Sequence, residues 1–419
     1  MPKQMKISSQ AIDAIYQQAK QRKDEENYKI AFELFQEAAM LGSTDAMVEL
    51  GYLYLFGKGM QQDSLQAVKW FRNAADQGHA IAQSILGGLC SAWGEHSQAA
   101  IWFRKAADQG LAEAQCGLGK AYMLGRGVPQ DYSEALIWIR RSAEQGYGEA
   151  QFHLSYMYAN GEGVPQDYSE AAIWIRKAAE QGLANTQYIL GLLYCNGRGV
   201  PQDYSEAAIW IRKAAEQGFV DAQSKLATMY CNGRGVPQDY SEAVVWYRKA
   251  AEQGRAIAQY NLGVMYERGE GVPQDYSQAV VWYRKAAEQG YASAENNLGV
   301  MYERGNGVPQ DYLQALAWYH KAAEQGNAIA QCNLGDVYKK GLGVPQDYSE
   351  AVVWYRKAAD QGYREAQYSL GELYDNGEGV PQNRLEAREW YRKAAEQGHE
   401  EAKNRAGIIQ LKKLKRVKS

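Results

Sequence analysis

Histidine serves as general acid, general base and zinc ligand more readily than other side chains. The spacing of the histidines therefore indicates whether the chain contains a catalytic or zinc-binding motif. One helical zinc motif places two histidines four residues apart, with a glutamate directly after the first. The stretch HEEAK at His399 begins in this way but lacks the second histidine. The histidines are scattered over the chain, at His79, His96, His153, His320 and His399. We therefore expect neither catalytic residues nor a metal site.

The five cysteines show no pairing pattern. Their odd number and the absence of a C-x-x-C spacing argue against a disulfide framework and against a zinc site. Cys195 and Cys231 hold equivalent places in adjacent units of the repeating pattern below. Packed helices lie about 8–10 Å apart, which exceeds the roughly 7 Å Cα separation that a disulfide tolerates. The cysteines are interpreted as small apolar residues.

Glycine-rich stretches such as GYLYLFGKG at Gly51 and GRGVPQD at Gly197 invite comparison with phosphate-binding loops. The first has the wrong spacing and no serine or threonine after Lys58, and the second lacks a third glycine. These glycines are predicted to form turns, and no cofactor is expected.

Composition narrows the class of protein. The chain has 419 residues, 46% hydrophobic and 23% charged, with a net charge of −3. It contains no apolar run near the roughly 18 residues of a membrane span, so membrane insertion is not expected. The first residues, MPKQMKISSQ, lack the apolar core of a signal peptide. A cytoplasmic location is the expectation.

Cationic residues suggest a second class of function. Arg–Lys pairs such as Arg176 and Lys177 recur along the chain, with Glu180 four residues after Arg176, and predict a solvated face with weak ion pairs. Interleaved acidic residues weaken the counterion release that drives nucleic-acid binding. The basic tail Lys412–Lys418 is interpreted as a solubilising end, with a nucleic acid or acidic membrane surface as the alternative contact.

Tryptophan reveals the organisation of the chain. From Trp102 to Trp390 tryptophans recur every 36 residues, and Trp70 precedes this series. Such a period is typical of a solenoid, in which each unit buries its apolar face against its neighbours. The predicted division is an N-terminal capping helix pair at 1–42, a C-terminal capping helix with a basic tail at 399–419, and between them ten repeats at 43–78, 79–110, 111–146, 147–182, 183–218, 219–254, 255–290, 291–326, 327–362 and 363–398.

Each repeat is predicted to form two helices. In 147–182 apolar residues at helical spacing predict a first helix from about Glu149 to Asn160, which Gly161 ends. Asp167 and Glu170 predict a capping box at the start of the second helix, in which each side chain accepts from the other residue's backbone amide. Trp174 lies on the predicted buried stripe of that helix.

The stretch AQYNLGVMYERGEGVPQDYSQAVVWYRKAAEQG (258–290) resembles the Sel1-like repeat, a relative of the tetratricopeptide repeat with a longer turn between its helices. The resemblance is close over 43–398. It implies an all-α solenoid of antiparallel helix pairs, wound as a right-handed superhelix with a concave binding face. It also implies an adaptor or scaffold rather than an enzyme; the chain lacks the paired cysteines of members associated with β-lactams.

Differences among the units point to a binding surface. With the first-helix leucine taken as buried, the second residue before it and the second and fifth after it face outward at 100° per residue. In the first half of the array these positions and their neighbours are apolar, whereas in the second half they carry asparagine and charges. The competing interpretation is that they pack on the first helix of the next unit. The candidate partner-binding residues are Tyr52, Leu55, Phe56, Trp93, Met123, Phe152, Tyr156, Tyr188, Ile189 and Leu192.

Trp93 belongs to the short repeat 79–110, which lacks four residues in its turn. It is expected either to fill the gap left by that deletion or to anchor a partner.

The predicted function is a non-enzymatic scaffold that binds a protein or peptide along the concave face of the N-terminal half. The alternative is a nucleic-acid or acidic-surface binder that uses the Arg/Lys stripe and the tail, and a hydrolase is a third, weaker hypothesis. Nucleic acid is thus not the expected partner, and a monomer is the default oligomeric state.

Overall fold

The computed structural model describes residues 8–406, which fold into α-helices joined by short turns without a strand in that range. The predicted all-α class is confirmed, and the basic tail 412–418 lies outside the described residues. In chain order the helices are α1 (Ser9–Asp24), α2 (Tyr28–Met40), α3 (Thr44–Phe56), α4 (Ser64–Asp76), α5 (Ala80–Ala92), α6 (His96–Asp108), α7 (Ala112–Leu124), α8 (Tyr132–Glu144), α9 (Gly148–Asn160), α10 (Tyr168–Glu180), α11 (Ala184–Asn196), α12 (Tyr204–Glu216), α13 (Val220–Asn232), α14 (Tyr240–Glu252), α15 (Ala256–Arg268), α16 (Tyr276–Glu288), α17 (Ala292–Arg304), α18 (Tyr312–Glu324), α19 (Ala328–Lys340), α20 (Tyr348–Asp360), α21 (Arg364–Asn376) and α22 (Arg384–Glu396).

The described part of the chain forms two compact units, with the division between Ala214 and Ala215. In each unit the two helices of a repeat pack on each other, as α7 does on α8 and α19 on α20. A second helix then packs on the first helix of the following repeat, as α8 does on α9 and α20 on α21. In the described part of the chain, no helix is both long and apolar enough to cross a membrane.

The repeat 147–182 shows why these residues form a helix pair. Leu154 and Met157 on α9 are fully buried, as their spacing predicts. Gly161 ends α9 with a left-handed backbone (φ +75°), which glycine adopts without the strain of a Cβ atom. Gly163 is left-handed as well, and a Cβ atom there would lie 2.4 Å from the carbonyl oxygen of Tyr132. Gly161 therefore serves the helix end, whereas Gly163 also serves the stacking of repeats.

Only half of the predicted capping box forms. The Asp167 carboxylate accepts hydrogen bonds from the amides of Ser169 and Glu170, as predicted. The amide of Asp167 donates instead to the carbonyl of Tyr158, at 2.9 Å, so the predicted return bond to Glu170 is wrong. In another repeat the corresponding glutamate, Glu134, accepts a hydrogen bond from the indole of Trp138.

Glutamine side chains connect successive repeats through the core. The buried Gln151 donates to the carbonyl of Ala143 in the preceding repeat. It accepts a 2.8 Å hydrogen bond from Gln181, at the end of the second helix of its own repeat. The second unit repeats this pair, as in Gln253 and Gln223. Each bond satisfies a polar group that would otherwise be buried at a cost. The Gln–Gln bond joins the two helices of one repeat, and the bond to Ala143 joins neighbouring repeats.

The Arg–Lys pairs contact aromatic rings. Lys177 Nζ lies 4.0 Å from the centre of the Trp174 ring. Arg248, which precedes Lys249, donates to the hydroxyl of Tyr266 at 2.7 Å, on the first helix of the next repeat. The predicted ion pair four residues on is formed in the last repeat, between Arg392 and Glu396. Much of the cationic stripe is therefore engaged in packing between helices.

Candidate functional site

A groove opens to solvent between α7 and α9 in the first unit. Its cavity measures about 380 Å³. Helix α7 and the turn after it form one wall, and α9 with its following turn forms the other. The lining residues are Met123, Leu124, Gln130, Tyr132, Phe152, His153, Tyr156 and Glu162.

Two predicted binding residues lie on the α9 wall. Phe152 and Tyr156 are one helical turn apart and flank Leu154, which faces the core. Tyr156 is 46% exposed, while Phe152 is half-buried and packs edge-on against the ring of His153. The geometry of a single helix thus predicted the outward direction of Tyr156.

Met123 lies on the opposite wall, and the prediction that it is an exposed binding residue is wrong. It was expected to point outward, but it is only 8% exposed and belongs to a core cluster with Ile139 and Met157. Side chains of the next repeat cover this flank of α7, as the competing interpretation held. Its neighbour Leu124 is 49% exposed, so Leu124 provides the accessible apolar surface on this wall.

Charged groups lie at one edge of the groove. Lys120 Nζ is 2.6 Å from the carboxylate of Glu149, and His153 Nε2 is 3.7 Å from the same oxygen. The neighbouring His153 and Lys120 side chains lower the pKa of Glu149 to about 2. Burial and the nearby Glu149 raise the pKa of the Cys116 thiol to about 12. Glu149 is thus anionic, and Cys116 is a neutral thiol, near neutral pH.

The three candidate binding residues on α3, which are Tyr52, Leu55 and Phe56, are exposed to different degrees. Phe56 is exposed, and its ring stacks on Tyr52 with 6.3 Å between centroids. Tyr52 also packs edge-on against Phe71, so it contributes to the core as well as to the surface. Leu55 is half-buried against the same cluster.

The α11 residues Tyr188, Ile189 and Leu192 are all half-buried. They do not line the groove between α7 and α9. The structure therefore does not gather all the candidates into one pocket.

Trp93 lies at the end of α5, where the short repeat has its abbreviated turn. It is 55% exposed. A separate cavity of about 210 Å³ nearby is lined by Gly88, His96 and Phe103 among others, but not by Trp93. The expectation that Trp93 fills the gap is therefore wrong, and its exposed ring stays a candidate contact.

Leu124 and His153 line the groove as sequence neighbours of the predicted Met123 and Phe152. The other three lining residues, Gln130, Tyr132 and Glu162, were missed by sequence reasoning. They belong to turns or to the start of a second helix, which were interpreted as purely structural. Gln130 donates to the carbonyl of Met123 and to the hydroxyl of Tyr132, which positions both at the groove. Gln130 and Tyr132 recur in most repeats and gave no signal, but the residue at 162 varies among the turns.

The groove can hold apolar side chains beside a polar edge. Phe152, Tyr156 and Leu124 supply apolar contact, and Gln130, Tyr132 and His153 supply hydrogen-bonding groups. Apolar pockets with a few polar groups of this kind are typical of ligand and peptide sites.

Comparison with known proteins agrees with the repeat structure. The model of the Sel1 repeat matches residues 21–43, 44–79, 80–111, 112–147, 148–183, 184–219, 220–254, 256–291, 292–327, 328–363 and 364–399. Proteins with such repeats generally mediate protein–protein interactions.

Two crystal structures are similar over much of the chain. One is c5321, a protective antigen present in uropathogenic Escherichia coli strains and displaying an SLR fold; it is 41% identical, covers 90% of this chain and 82% of its own, and has a TM-score of 0.84. The other is a Sel1 repeat protein from Oxalobacter formigenes, 39% identical over 74% of this chain and 89% of its own, with a TM-score of 0.62. Since the repeat model matches almost the whole helical array and the structural likeness extends over most of it, this protein belongs to the Sel1 repeat family.

Proposed function

We propose that the protein is a non-enzymatic interaction scaffold that binds a protein or peptide through the first helices of its N-terminal half. The groove between α7 and α9 is the centre of this surface. Tyr52, Leu55, Phe56 and Trp93 before it, and Tyr188, Ile189 and Leu192 after it, extend the contact.

The observation that carries the proposal is the pair of exposed apolar side chains across the groove. Leu124 and Tyr156 belong to successive repeats, and each keeps nearly half of its surface in solvent. Aromatic side chains set in a concavity supply most of the binding energy in many interfaces, at about 2 kcal/mol or more each. A ligand side chain seated between them would contact both repeats.

The test compares two double variants in the full chain. Leu124→Ala with Tyr156→Ala removes the groove contacts, and Ile137→Ala with Ile173→Ala removes comparably exposed apolar residues from the second helices of the same repeats. A partner is captured from native lysate, identified and purified, and its Kd is measured against both. We expect the Kd of the groove variant to be at least about 30-fold higher than that of wild type, and the Kd of the control to equal that of wild type.

Equal weakening by both double variants would contradict the groove as the binding site. The alternative function has its own outcome in the same assay. Capture that disappears with nuclease treatment, or on deletion of 412–419, while surviving the groove variant would favour a nucleic-acid or acidic-surface contact.

A further inference from the structure

Three side chains of metal-ligand type meet where α7 packs near α9. They are Cys116, Glu149 and His153, whose ligand atoms all lie within 4.8 Å of one another. Glu149 and His153 are one helical turn apart on α9, and Cys116 lies on α7 in the preceding repeat. We propose that these three residues bind a zinc ion between two successive repeats, with water completing its coordination.

The donor set suits Zn²⁺, which binds thiolate sulfur, imidazole nitrogen and carboxylate oxygen. On binding, the Cys116 thiol would release its proton to solvent, and the thiolate would become the ligand. A tetrahedral site with bonds of about 2.0–2.3 Å has edges of roughly 3.3–3.7 Å between ligand atoms. His153 Nε2 already lies 3.7 Å from Glu149 Oε1. Small side-chain rotations would therefore bring the sulfur into range without moving either helix.

The surroundings support a site rather than a chance approach. Cys116 is 1% exposed, and none of the hydrogen bonds found for the described residues involves its thiol. The Tyr147 hydroxyl donates to the second oxygen of Glu149 at 3.3 Å, the kind of outer contact that orients a ligating carboxylate. His153 also lines the groove, so the ion would lie at the groove's polar edge.

The Lys120 ammonium competes with a metal ion for the Glu149 carboxylate. Its ammonium lies 2.6 Å from Glu149 Oε1, and a metal ion must displace it. Both side chains of that ion pair are partly exposed, at 38% and 44%, so solvent compensates for much of its loss. Removal of the ammonium should therefore strengthen metal binding.

The chain contains its own comparison site. Cys332 holds the same place in its repeat as Cys116 does, two residues before the buried leucine. In the repeat that follows it, Glu365 stands at the position of Glu149, but Ser369 stands at the position of His153. Cys332 is buried as well, yet it lacks the histidine, which makes Cys332→Ser the matched control.

The experiment uses the untagged full chain, reduced and freed of metal with a chelator. Co²⁺ is added first, because a thiolate ligand gives it an intense charge-transfer absorption, and Zn²⁺ is then titrated as the competitor. We expect wild type and Cys332→Ser to bind one equivalent with this absorption, which Zn²⁺ removes. Cys116→Ser should lose the absorption.

Three further variants separate ligation from folding. His153→Gln changes a half-buried residue and should weaken Zn²⁺ binding at least about 10–100-fold, the range for loss of even an outer contact. Tyr147→Phe should weaken it about 10-fold, and Lys120→Met should tighten it. Circular dichroism of each variant checks the fold. Absence of the thiolate absorption in wild type, or equal Zn²⁺ affinity in wild type and His153→Gln, would overturn the proposal.

Discussion

Met123 and Leu124 are adjacent in sequence and line the same groove, but they have different roles. Met123 packs against Ile139 and Met157, whereas Leu124 contacts solvent. Burial therefore assigns stability to one and recognition to the other. The contrast also explains why a list of outward positions includes both core and surface residues.

Met123→Ala should destabilise the protein by about 2–4 kcal/mol, because it leaves a cavity between two repeats. Leu124→Ala should stay within about 0.5 kcal/mol, since that side chain is half in solvent. Urea unfolding followed by circular dichroism measures both. Equal losses for the two variants would mean that Leu124 also belongs to the core.

Glu295 is a second residue whose contribution to stability depends on its burial. It stands where most repeats have the buried glutamine of the Gln–Gln pair, and it accepts a 2.6 Å hydrogen bond from Gln325 in the same repeat. The side chain is only 3% exposed, and desolvation raises its pKa above the ordinary value of 4.5. A buried carboxylate at neutral pH is therefore a local cost.

Glu295→Gln should stabilise the protein by on the order of 1 kcal/mol at pH 7, because it restores the neutral amide pair. The folded state holds the Glu295 proton more tightly than the unfolded state does. Wild type should therefore lose stability relative to the variant as pH rises from below 4.5 through the raised pKa. Urea midpoints of both proteins between pH 4 and pH 8 measure the difference, and a constant difference would contradict this origin.

At the scale of the element, the turns before and after α10 use glycine in two distinct ways. Gly163 and Gly182 both have positive φ, at +71° and +91°. A Cβ atom at Gly163 would collide with the backbone of the preceding repeat, while one at Gly182 meets nothing within 4 Å. Gly163 is therefore a contact between repeats as well as a turn residue.

Gly182→Ala should cost about 1–2 kcal/mol, the penalty of a left-handed backbone for a residue with a Cβ atom. Gly163→Ala carries the same penalty and must also move α8 away from the turn, so it should be clearly more destabilising. Thermal melts of the two variants test the order. Similar melting temperatures would show that the turn yields without disturbing the neighbouring repeat.

At the scale of the whole molecule, contacts run mainly between helices that are consecutive in the chain. Stability in such arrays is a sum over repeats and their nearest-neighbour interfaces. Disturbance of one repeat should therefore reach its neighbours and fade beyond them.

Trp390→Ala tests this within the second unit. The side chain is buried beside Leu370 and Leu373, and its loss should cost about 3–5 kcal/mol locally. Amide hydrogen exchange should accelerate in α19–α22 and stay at wild-type rates in α13–α15. Uniform acceleration through all of these helices would indicate one cooperative unit instead.

The sequence alone determined the helix pairs and their ends. The spacing of Leu154 and Met157, the glycine at 161 and the aspartate at 167 act within one repeat, so short-range rules suffice to interpret them. Repetition of this pattern predicted the solenoid, and the same short-range geometry predicted that Tyr156 faces outward.

Only the tertiary structure decided which outward positions stay exposed. Whether Met123 is covered depends on the size and direction of side chains in the next repeat, which a single helix does not specify. The meeting of Cys116 with Glu149 and His153 likewise depends on how two repeats stack, so no short motif could reveal it. Contacts between residues distant in sequence form only when the array packs, and the candidate site lies at such contacts.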